Sequence, residues 1–207
     1  MRKTITFLLM LILLATKPAF AQIKVGICGG LNLATVAGQG LTGFNVNTRT
    51  GFHLGAIVEK PFSQTLNIQS GLLLSSKGAK IAGNAFTSEI SPLYLEVPVN
   101  ILYRARFGNN RFQLFAGPYL ALGIAGKQKV TYLSSTTSND IKFGTADDSN
   151  FTLTDFGLNV GAGIEIQRLL IRFQYGLSLL NLDPKGSDNE EIKHRVIGIS
   201  MGYMLGN

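Results

Sequence analysis

Across most of the chain, apolar and polar side chains trade places at every residue. In 154–166, Phe156, Leu158, Val160, Ile164 and Ile166 hold one parity, and Asp155, Gly157, Asn159, Gly161, Gly163 and Glu165 hold the other. In 169–179, Leu169, Ile171, Phe173, Tyr175, Leu177 and Leu179 alternate with Arg172, Gln174, Gly176 and Ser178. The same rhythm runs through 23–33, 51–59, 65–77, 93–104, 111–124 and 194–205. A two-residue period belongs to β-strands with one apolar and one polar face. Nearly all eight segments reach the roughly 9–11 residues a tilted strand needs to cross a bilayer. They predict an all-β fold, an eight-stranded antiparallel up-and-down transmembrane β-barrel. Inside the segments the apolar parity carries no charge except Arg195, at the loop-side end of the last one, as lipid contact requires: Lys or Arg there at mid-depth costs about 2–4 kcal/mol. The polar parity is rich in Gly, Ser and Asn, small enough for the crowded interior of a narrow barrel.

The connections alternate in length. Residues 60–64, 105–110 and 167–168 are short, whereas 34–50, 78–92, 125–153 and 180–193 are long and rich in Gly, Ser, Thr, Asn and Asp. Outer-membrane barrels have this asymmetry, with turns in the periplasm and loops outside the cell. The two-residue turn at 167–168 sets Ile166 opposite Leu169 and Gly163 opposite Arg172, with Glu165 diagonal to that arginine. Pro98 and Pro118 fall at nearly the same height on adjacent segments. Proline has no N–H for the ladder, so a shared bulge or ladder gap is expected there.

Composition adds an address. Arg2 and Lys3 precede an apolar run over 5–15, and Ala19-Phe20-Ala21 supplies the small-x-small pattern of signal cleavage before Gln22. A run of eleven residues, none of them charged, is too short for an ordinary membrane-spanning helix. The expected organisation is a cleaved signal peptide over 1–21 and one barrel domain over 22–207. Of 19 basic residues, Arg2, Lys3 and Lys17 lie in the signal, which leaves 16 against 12 acidic ones, scattered and without a nucleic-acid footprint. A single cysteine, Cys28, excludes an internal disulfide.

The pieces Gly30-Leu31-Asn32-Leu33, Gly51-Phe52-His53-Leu54-Gly55, Gln69-Ser70-Gly71-Leu72-Leu73-Leu74-Ser75-Ser76-Lys77-Gly78, Tyr94-Leu95-Glu96-Val97-Pro98, Gly117-Pro118-Tyr119 and Gly157-Leu158-Asn159-Val160-Gly161-Ala162-Gly163 span nearly the whole mature chain. In their order and spacing they resemble the PorT-like outer-membrane β-barrel family of Bacteroidota. The resemblance implies an eight-stranded outer-membrane barrel, with outer-membrane lipid and the barrel-assembly machinery as partners. The family's founding member also links it to protein secretion and surface assembly. Tyr203 is the aromatic nearest the C-terminus, where insertion machinery reads many barrels.

The polar parity also holds charges: Glu59, Glu96 and Glu165 with Arg104 and Arg172. An eight-stranded barrel is about wide enough for side chains alone, so these charges are expected to neutralise one another and plug the lumen. A proton or ion path through them is the sharper alternative. His53 and His194, the two histidines, both face inward near the loop-side rim on strands separated only by the first. Without a nearby carboxylate pair they make a poor metal site, and polar packing is the expectation. Asp147-Asp148 in the longest loop reads as a solvated pair. No G-x-S-x-G occurs, and neither histidine has an evident Ser and Asp partner, so no catalytic residue, metal or cofactor is assigned.

The expected role is therefore a non-enzymatic, membrane-anchored scaffold whose long loops, 125–153 above all, bind a surface or secretion-system protein. A small porin-like channel is the alternative. A soluble lipocalin-like carrier is the second, and it would put the bulky apolar set inside.

Overall fold

The computed structural model describes residues 23–38, 45–83, 85–133, 135–144, 149, 151–182 and 191–205. The cleavage-site residues Ala19, Ala21 and Gln22, and Asp147-Asp148, lie outside the described residues. Among the described residues ten strands form: β1 Lys24–Gly38, β2 Asn45–Pro61, β3 Leu66–Ser76, β4 Ala79–Ala82, β5 Phe86–Phe107, β6 Asn110–Tyr132, β7 Ser135–Asp140, β8 Thr154–Ile166, β9 Leu169–Ser178 and β10 Ile192–Met204. Eight of them close a ring. From β1 the antiparallel ladders run through β2, β3, β5, β6, β8, β9 and β10, and β10 pairs back onto β1. Closure leaves no strand edge in the wall, which is the condition for a sheet to sit in hydrocarbon.

The alternation settles which face is which. Leu158, Phe173 and Ile199 are 48%, 54% and 51% exposed, whereas Glu96 and Arg172 are 4% and 6% exposed. Bulky apolar side chains point away from the axis, and the polar set lines the inside. The carrier reading needs the opposite arrangement and is overturned by this facing. Exposed aromatics Phe62, Tyr103, Phe107, Phe112 and Tyr203 gather at the short-turn end, as in the girdle where outer-membrane barrels meet the headgroups.

The tight turn pins its register as expected, with Ile166 opposite Leu169 and Gly163 opposite Arg172. At the prolines the β5–β6 ladder is interrupted: Pro98 pairs with Tyr119, and the next pair is Ile101 with Ala116. The offset is the same on both sides, so this is a gap without a bulge. The β3–β5 ladder also skips Pro98, passing from Ser70↔Val99 to Leu73↔Glu96. Ser70 Oγ donates to Pro98 O at 2.9 Å and satisfies one freed carbonyl. The bulge lies higher, where Tyr94 pairs with Gly123 but Leu93 with Ala125, leaving Ile124 as the extra residue.

Three connections expected as loops are partly strand. β4 and the start of β5 occupy most of 78–92, and β6 runs on to pair with β7 inside 125–153. β1 and β2 likewise extend into 34–50. Above the membrane both faces of a strand can meet water, so the two-residue signal fades while the backbone ladder continues. Ser135–Asp140 is exposed at all six positions and shows no alternation.

Candidate functional site

The barrel interior is where the polar chemistry converges, and it is layered. Nearest the short turns, β2, β5, β6 and β8 bring their inward residues to one level. Arg104 forks onto Glu59, Nη1 at 2.7 Å from Oε1 and Nη2 donating to Oε2 at 2.9 Å. Its Nη2 also lies 3.1 Å from Glu165 Oε2, and Arg111 Nη1 donates to Glu165 Oε1 at 2.5 Å. Glu59 and Glu165 are almost wholly buried. Paired, forked geometry of this kind offsets the cost of taking carboxylates and guanidinium groups out of water.

The middle layer is built from amides. Arg172 Nη2 donates to Gln69 Oε1 at 2.6 Å and to Gln113 Oε1 at 3.4 Å, and the guanidinium stacks 4.3 Å from the Phe115 ring centre. No carboxylate comes within ion-pairing distance of it among the described residues. The expected mutual neutralisation therefore holds for Arg104 with Glu59 and Glu165, but not for Arg172, and Glu96 pairs elsewhere, with Lys77. The reason is height: Gly163, not Glu165, stands opposite Arg172, and Glu165 is held by Arg104 and Arg111 near the turn. Above Arg172, Asn32 Nδ2 donates to Phe52 O, Ser75 Oγ and Ser76 O at 3.1–3.2 Å, and its Oδ1 lies 2.8 Å from His53 Nδ1.

The loop-side layer centres on a residue absent from the sequence-based charge set. Lys77 Nζ lies 2.8 Å from Glu96 Oε2 and 3.1 Å from Asp155 Oδ2, and all three side chains are buried. The ammonium also sits 4.1 Å from the Tyr119 ring centre, a desolvated cation–π contact. Ser178 Oγ donates to Asp155 Oδ1 at 2.6 Å and Tyr119 OH to Oδ2 at 3.2 Å. Parity could have found Lys77, which shares the inward face with Gln69 and Ser75, and Arg111, which shares it with Gln113. Nothing in the sequence says that Lys77 reaches across to Asp155 on β8.

His194 is fully buried, with Nε2 3.4 Å from Tyr94 OH. The two histidines thus have separate partners. Among the described residues no group of three or more His, Cys, Asp or Glu is placed to hold a metal ion. Over the top of the barrel, Phe143 packs edge-on against Tyr94 at 5.8 Å and against the buried cluster of Tyr94, Tyr119 and Ala121. Two voids inside the barrel measure about 20 Å³ and 10 Å³. A void of that size holds about one water molecule.

A closed eight-strand ring with its greasy face outward is the geometry of an outer-membrane barrel, and the family match agrees. Residues 19–184 match the model described as outer membrane protein beta-barrel domain. The chain belongs to that family. Its location is accordingly the cell outer membrane. No curated protein matches the chain at a significant level. Among solved structures, Ail, the attachment invasion locus protein of Yersinia pestis, is 14% identical, with 88% of this chain and 98% of that one covered at a TM-score of 0.46. Neisserial surface protein A is 9% identical, covering 86% and 96%, with a TM-score of 0.45. OprG from Pseudomonas aeruginosa is 11% identical, covering 89% and 96%, with a TM-score of 0.43.

Proposed function

We propose that this outer-membrane barrel is a non-enzymatic scaffold that binds a surface or secretion-system protein through its loop-side extension, and that it is of the PorT-like, Bacteroidota kind. The observation that carries the reading is strand length. β5 has 22 residues and β6 has 23, about twice the roughly 9–11 needed to cross the membrane. The surplus stands beyond the apolar band on the long-loop side, and β6 folds back there onto β7. Among the described residues β7 pairs with β6 alone, so Ser135–Asp140 ends the described sheet with an open edge and exposed polar side chains. An unpaired edge offers main-chain hydrogen bonds to an added strand. The polar, alternation-free sequence of β7 suits water and a partner, not lipid.

The layered ion pairs and the Phe143 cap favour this role over a narrow porin, since each layer occupies the cross-section a solute would need. The experiment replaces 130–137 with Asn-Gly, joining the cross-strand partners Lys129 and Ser138 through a favoured two-residue turn. Cross-linking in the native membrane is expected to lose its adduct while the barrel stays folded. An unchanged adduct would remove the hairpin from the binding role. Steady, discrete conductance of the purified wild type in planar bilayers would favour the porin instead.

A further inference from the structure

Outside the barrel wall, at the upper margin of the apolar band, a cleft of about 700 Å³ combines two kinds of lining. Its floor is apolar: Phe52, Leu93 and Ile124 are the last bulky residues before the extension turns polar. The bulge at Ile124 sets the walls, because the extra residue lets both Ile124 and Ala125 face outward before the alternation resumes. Beyond it, Gln128 turns inward and donates to Ser88 Oγ, while Lys127 and Lys129 stand exposed on the outer side. Arg49 joins them from β2.

The charge balance within the cleft is uneven. Glu89 lies 3.1 Å from Arg49 and 3.6 Å from Lys80, so it serves those two cations. Lys127 and Lys129 make no ion pair among the described residues, although Asp140 is the cross-strand neighbour of Lys127. Two unpaired ammonium groups thus stand one step above an apolar floor that is continuous with the hydrocarbon-facing wall. We propose that this cleft binds an anionic lipid of the outer leaflet whose headgroup is a phosphate with no compensating cation, its acyl chain on Phe52, Leu93 and Ile124 and its phosphate on Lys127 and Lys129. The location fits a lipid over a free anion, because a soluble phosphate would use the lysines and leave the adjoining apolar floor without purpose. It fits a lipid over a protein, because the floor faces the bilayer. Asp140 of β7 also lines the cleft, but the lipid contacts use neither the open edge of β7 nor residues 130–137, so the proposal is tested independently of the scaffold reading.

The chain contains no tryptophan, which makes a single introduced one a clean reporter. Ile124→Trp in the otherwise intact mature protein, refolded into phosphatidylcholine vesicles, is quenched by dibrominated phosphatidic acid or dibrominated phosphatidylcholine. Each lysine near an anionic headgroup contributes about fivefold in affinity, so selectivity for phosphatidic acid of about 5- to 30-fold is expected. The Lys127→Gln/Lys129→Gln background should bring that ratio to about one, and so should the distant outward position Phe173→Trp. Millimolar inorganic phosphate should leave the selectivity in place. Leu93→Trp serves as a second reporter if Ile124→Trp does not refold. Equal quenching by both lipids, selectivity that survives loss of both lysines, or the same selectivity at Phe173→Trp would each overturn the proposal. Displacement by inorganic phosphate would also overturn it and mark a free-anion site.

Discussion

Replacing Lys77 with methionine keeps the length of the side chain and deletes one charge from the loop-side layer. The ammonium lies 2.8 Å from Glu96 and 3.1 Å from Asp155 in surroundings almost free of solvent. Its loss leaves two buried carboxylates facing each other across the barrel. Breaking one buried pair typically costs about 3–5 kcal/mol, chiefly through the charge left uncompensated. Two effects adjust that figure. Asp155 keeps the hydroxyls of Ser178 and Tyr119, which softens the loss, while the cation–π contact with Tyr119 disappears and deepens it. We expect a destabilisation of about 4 kcal/mol. At an m-value of about 2 kcal/mol per molar urea, the midpoint falls by about 2 M. Reversible urea unfolding in lipid vesicles, followed by the slower gel migration of the unfolded chain, measures it. The triple variant Lys77→Met/Glu96→Gln/Asp155→Asn, which removes all three charges together, should recover all but about 1–2 kcal/mol. A single variant within about 1 kcal/mol of wild type, or a triple variant no better than the single, would refute the claim that Lys77 acts by compensating the charges of Glu96 and Asp155.

Arg172→Met should cost less, about 1–3 kcal/mol in the same assay, because it orphans amides and not carboxylates; a loss as large as that of Lys77→Met would point to an unrecognised anionic partner. On the lipid face, Leu158→Arg should cost about 2–4 kcal/mol in vesicles. Leu133→Arg, at the exposed β6–β7 turn, should stay within about 0.5 kcal/mol of wild type; equal effects would contradict the assigned membrane boundary. A Cβ at Gly30 would lie 2.0 Å from Ile199 O and 2.9 Å from the His53 ring, so Gly30→Val should sharply lower the yield of folded barrel. Gly108 has φ +60° and open space around it; Gly108→Asn, which tolerates that conformation, should refold like wild type.

The chain's own pattern determined the wall. With a period of two, each residue's face follows from its neighbours, and lipid on one side makes the choice of face costly to violate. That is why Leu158, Phe173 and Ile199 could be placed outside, and Glu59, Glu96, Glu165, Arg104 and Arg172 inside, from sequence parity alone. The two-residue turn likewise fixed Gly163 against Arg172, since so short a link leaves one register. What only the tertiary structure decided was who meets whom across the lumen. Lys77 and Asp155 are 78 residues apart in sequence, and their meeting depends on the ring closing at one strand number and stagger, which no local pattern encodes. The same holds for Arg172, whose parity promised a carboxylate and whose height delivered Gln69 and Gln113. β7 escaped notice for a different reason: with water on both faces, nothing forces the residues of a strand to alternate.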